Sequence, residues 1–67
     1  MELDQLFDIF KLAIESESQA EEFYQKASQN TTDPESKTLF EEFAKMESYH
    51  LRRLKERYAE LRETATS

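Results

Sequence analysis

Three residues hold the chemistry this sequence can do: Glu17, Glu47 and His50. Glu47 and His50 form a Glu-x-x-His pair, and residues three apart on a helix project from one face. Glu17 and Glu47 each stand fifteen positions from Thr32. At a rise of about 1.5 Å per residue, each is about 22 Å from that point along a helix. If the chain folds back there, the two carboxylates meet at one height, with His50 one turn further along. The faces they share are otherwise apolar, and burying unpaired carboxylates is costly. No Lys or Arg lies on either seam near that layer; Lys45 and Arg52 are off it, and Lys11 is nearly two turns away. A divalent cation resolves the conflict, and oxygen plus imidazole donors suit iron, manganese or zinc.

The elements that must position these groups are legible in the apolar spacing. From Leu3 the apolar residues fall at 3, 6, 10, 13, 20, 24 and 27, with Glu17 in the one gap. Alternating steps of three and four define the seam of a helix that packs against partners. Phe7, Ile14 and Phe23 widen the stripe toward that of a bundle. Helix 1 is placed at about 3–29. Asn30-Thr31-Thr32-Asp33-Pro34-Glu35 is the only punctuation. Asn30 suits a left-handed helix end without glycine, Asp33 an N-cap, Pro34 the first helical position and Glu35 the positive end of the dipole. Helix 2 then spans about 34–62. Its seam reads Phe40, Phe43, Glu47, His50, Leu54 and Leu61, flanked by Leu39, Ala44, Leu51 and Tyr58. Glu63 to Ser67 are expected to fray. The fold class is all-α: one domain over 1–67, an antiparallel two-helix hairpin with a turn at 30–33.

Composition agrees and excludes other classes. Sixty-seven residues without cysteine, with no glycine and one proline, leave no thiolate metal site and little capacity for tight β turns. A core of this size stabilises a fold by only a few kcal/mol, which argues for an oligomer. The net charge of −6 disfavours nucleic acid, whose phosphates need a basic face. Apolar runs are too short to span a membrane, and Met1-Glu2-Leu3-Asp4 does not read as the start of a signal peptide. The expected location is the cytoplasm, or a compartment loaded from it.

A homodimer, or a higher even-numbered homo-oligomer, follows from the ligand count. Two carboxylates and one imidazole do not saturate an ion. A two-fold axis doubles them to four Glu and two His, the set found in di-metal carboxylate bundles.

Ala13-Ile14-x-x-Glu17-x-x-Ala20-x-x-Phe23-Tyr24, then Thr32-Asp33-Pro34-Glu35, then Phe40-x-x-Phe43-Ala44-x-x-Glu47-x-x-His50 resembles the ferritin-like superfamily, rubrerythrin-type in particular. The resemblance covers about residues 10–61. With one Glu-x-x-His motif, the chain is similar to half of a conventional member, and in layout to the encapsulated-ferritin group. That resemblance implies two hairpins pairing into a ferritin-like four-helix bundle, with a di-iron centre of two irons per dimer between them. It implies Glu17 as a bridging or terminal iron ligand, Glu47 as a bridging carboxylate, His50 as the nitrogen ligand and Tyr24 as an aromatic that hydrogen-bonds near the centre. It also implies an encapsulating shell protein as partner and a protein nanocompartment as location, although Arg62 to Ser67 carry neither the extra helix nor the cargo peptide of that group.

The expected function is ferroxidase activity, oxidation of Fe(II) with O2 for iron storage or detoxification, with Mn or Zn as possible substitutes at the site. The alternatives are a structural or interaction hairpin without catalysis, and a rubrerythrin-like peroxide reductase. At Tyr24 an ordinary core role competes with one near the metal, since a seam aromatic usually just packs. Phe7, Phe10, Phe40 and Phe43 are expected in the core.

Overall fold

The structure, a computed structural model, describes residues 1–66 and consists of two antiparallel helices. α1 runs Leu3–Asn30 and α2 runs Pro34–Thr66, joined by a three-residue connection. They pack against one another into a rod of 51 × 15 × 15 Å. No strand occurs among the described residues. No helix among them is long and apolar enough to cross a membrane.

The turn forms largely as the residue types dictate. Asp33 caps α2: the Ser36 N–H donates to its carboxylate at 3.0 Å, and the Lys37 N–H donates to its carbonyl at 2.9 Å. The Ser36 hydroxyl donates to the same carboxylate oxygen. Pro34 occupies the first helical position and Glu35 the first turn. Asn30 does not adopt the expected left-handed conformation. It stays helical and donates its side-chain amide to the Lys26 carbonyl at 2.8 Å. Thr31 leaves the helix in an extended conformation instead, its N–H held by the Ala27 carbonyl at 3.1 Å. Local hydrogen bonding thus ends α1 without a positive φ.

α2 does not end at residue 62. It continues to Thr66, with the Thr64 hydroxyl donating to the Glu60 carbonyl at 3.0 Å. Of the stretch expected to fray, Ser67 lies outside the described residues.

The seam of α2 differs from the expected one in a way that matters for the site. The residues turned toward α1 are Phe40, Ala44, Glu47, Leu51, Leu54, Tyr58 and Leu61, all buried or half-buried. Phe43 and His50 are not on this line. With Leu39, Met46, Arg53 and Arg57 they form a second stripe, exposed along the open side of α2. Both stripes step by three and four. A single neighbouring helix covers only one of them, because one helix–helix contact spans a narrow arc of the surface. The sequence pattern merges two faces that the hairpin separates.

Two aromatic groups bracket the middle of the rod. Tyr58 stacks on Phe10 at 6.0 Å and meets the edge of Phe7 at 5.7 Å. Toward the turn, Tyr24 stacks on Phe40 at 6.2 Å and meets Phe43 edge-on at 5.2 Å. Such pairs add to their area burial and set the helix spacing on either side of the layer between them. Even so, the only buried apolar residues are Ala44 and Leu51, and no large side chain is fully buried among the described residues. Of the residues expected in the core, Phe43 stays more than a third exposed, while Phe7, Phe10 and Phe40 are half-buried.

Candidate metal centre

Between the aromatic groups lies one polar layer. α1 contributes Glu17 and α2 contributes Glu47, both half-buried, with His50 one turn along and more exposed. One donor atom from each of the three falls within 4.8 Å of the others. Antiparallel packing about a turn equidistant from Glu17 and Glu47 sets their common height. The three-residue step on α2 brings His50 to the same layer from its outer stripe.

Glu17 is the least satisfied of the three. Its Oε2 is buried and has no hydrogen-bond partner, although the side chain as a whole is 30% exposed. The His50 Nδ1 stands 3.8 Å away, too far for a hydrogen bond. Buried polar atoms are paired in all but a few cases, and an orphan calls for a partner outside the chain. A cation held between oxygen and nitrogen donors fits this place. Two ligand atoms each about 2.1 Å from one ion lie at most about 4.2 Å apart, so the Glu17–His50 spacing is one that a shared ion spans.

Two clefts open onto the layer from the exposed side. One, of about 420 Å³, is lined by Phe10, Glu17, His50, Arg53, Leu54 and Arg57. The other, of about 220 Å³, is lined by Tyr24, Phe43, Met46 and Glu47. Tyr24 thus stands beside Glu47, where its ring is held by Phe23, Phe40 and Phe43.

The first cleft bears on the expectation that no Lys or Arg lies on either seam near the layer: two basic residues stand close by, on the outer stripe of α2. Arg53 and Arg57 line it together with Glu17. Neither neutralises Glu17: Arg57 donates to Glu60 at 3.0 Å, and Arg53 lies over the Tyr49 ring at 5.7 Å. The spacing held the signal, since 50, 53 and 57 continue the 43, 46, 50 row in steps of three and four. They stand among Arg52, Lys55 and Arg62 with Glu56 and Glu60 interleaved, the composition of a solvated helix end.

Apolar side chains are exposed on both helices. Leu12 and Phe23 on α1 are about two-thirds exposed, and Ile9 and Met46 about half.

A protein-family model described as Rubrerythrin matches residues 8–66, nearly the whole chain. Comparison with curated proteins and with solved structures found no match.

Proposed function

Since the chain belongs to the rubrerythrin family, whose members are di-iron oxidoreductases, we propose that two copies of it bind a pair of Fe(II) ions between them and oxidise that iron with O2. The observation that carries this reading is the buried, unpartnered Oε2 of Glu17 within reach of Glu47 and His50. A hairpin serving only as a structural spacer has no need of an orphaned carboxylate in its centre, and an apolar residue there would be at least as stable.

Glu17 and Glu47 would hold the metals through oxygen and His50 through a ring nitrogen. A second copy, related by a two-fold axis, brings the same three groups to the opposite side. Its apolar face covers Ile9, Leu12 and Phe23 and adds the core that one hairpin lacks. Phe10 and Leu54 wall the site and limit water, which strengthens the electrostatic hold of the carboxylates. As substrate, two Fe(II) ions give one electron each to O2. Two protons complete hydrogen peroxide, and Fe(III) leaves for storage or detoxification. The expected setting is the cytoplasm or a protein shell loaded from it, with the shell protein as a further partner.

Peroxide reduction is the second reading, supported by the family alone. Within these residues there is no cysteine to hold an electron-delivering iron centre, so that activity needs a separate donor. Oxygen consumption and peroxide release during aerobic Fe(II) addition separate the two. Iron oxidation that proceeds with peroxide but not with O2 would favour the reductase. Native mass spectrometry under anaerobic Fe(II) titration tests the shared centre itself: two irons per two chains, lost in His50→Ala, is expected. An even-numbered assembly that binds no iron would overturn the proposal.

A further inference from the structure

We infer that Met46 is a capture site for hydrogen peroxide released at the adjoining carboxylate–histidine layer, its thioether being converted to the sulfoxide. The inference rests on the ferroxidase reading above, which supplies the oxidant. Met46 precedes Glu47 in the chain and lines the 220 Å³ cleft with Glu47, Tyr24 and Phe43. It also stands one helical turn before His50 on the outer stripe of α2, so small molecules leaving the layer on that side pass its sulfur. In a chain with no cysteine and two methionines, that sulfur is the softest reductant near the site. The sulfur lone pair attacks one peroxide oxygen and the O–O bond breaks. One oxygen stays as sulfoxide and the other leaves as water with both hydrogens. Sulfur is oxidised by two electrons and peroxide is reduced by the same two.

The product has a consequence for assembly. A sulfoxide is polar, whereas Met46 belongs to the apolar open side that a second copy covers. Oxidation converts an apolar contact into a polar one and weakens the pairing, and methionine sulfoxide reductases restore the thioether. Capture therefore limits both peroxide escape and the lifetime of the dimer under heavy iron load.

The chain contains its own control. Met1 is 84% exposed and Met46 is 55% exposed, so peroxide arriving from solution oxidises Met1 at least as fast. The test adds Fe(II) to the whole protein in air, follows iron oxidation by absorbance in the same vessel, and then measures sulfoxide at each methionine by peptide mass spectrometry. Expected is a several-fold excess at Met46 after iron turnover, unchanged by added catalase. With hydrogen peroxide and no iron, that excess should disappear. Met46→Leu, which keeps apolar volume, should release more peroxide into solution per iron oxidised. Iron oxidation with Met46 no more modified than Met1, a preference abolished by catalase, or unchanged peroxide release from Met46→Leu would each overturn the capture site alone. Absence of iron oxidation would overturn the underlying reading and the capture site with it.

Discussion

His50 Nδ1 stands 3.8 Å from Glu17 Oε2 across the two helices, too distant for a hydrogen bond and close enough for both to reach one cation. The relationship joins an orphaned carboxylate oxygen to an exposed imidazole on a different helix. Its meaning is testable from both ends.

Glu17→Gln keeps the size of the side chain and removes the charge. Fe(II) added anaerobically should raise the melting midpoint of the unmodified protein. At a free metal concentration of a hundred times Kd, the stabilisation is about 2.7 kcal/mol. The variant should melt at the same temperature with metal or with chelator. A metal-dependent shift of equal size in Glu17→Gln would show that the carboxylate is not a ligand.

His50→Ala removes a side chain that is about half exposed, so the apo hairpin should lose little stability. Metal affinity should fall by more than the about 10–100-fold that loss of a merely supporting partner costs. Circular dichroism melts and an anaerobic titration give the two numbers from one preparation. Loss of helicity together with metal binding would point to a packing role instead.

The Ser36 hydroxyl, and then its backbone N–H, hold the Asp33 carboxyl below its usual carboxylate value. A group whose folded pKa is depressed contributes stability that is present above its unfolded pKa. That stability is lost as pH falls through the folded value. Asp33→Ala should therefore lower the melting midpoint by a few degrees at neutral pH, with the gap to the unmodified protein closing in acid. A gap that stays constant down to the acid limit would mean that the cap works without its charge.

Phe23 meets the Tyr24 ring edge-on at 5.4 Å, yet about two-thirds of it stays exposed on α1, apolar surface that a second copy would cover. Phe23→Glu should convert an even-numbered assembly into monomers by sedimentation, and abolish iron oxidation with it. Dimers that persist with full activity would move the pairing surface elsewhere.

The sequence by itself determined the hairpin. The absence of glycine, the three-and-four spacing and the Asp33–Pro34 start leave two helices and one turn as the only arrangement that buries an apolar stripe. It also determined that Glu17 and Glu47 share a height, because equal spacing from Thr32 needs only the helical rise and an antiparallel return. Tertiary structure decided which face each residue occupies. Steps of three and four fit two adjacent stripes on α2, and only packing against α1 turns Ala44 and Leu51 inward while leaving Phe43, Met46 and His50 on the open side. For the same reason Arg53 and Arg57, which have the composition of a solvated helix end, line a cleft with His50 only because packing sets their row on the open side. The orphaned oxygen of Glu17 was likewise invisible in one dimension: a carboxylate lacks a partner only once every neighbour has taken its place.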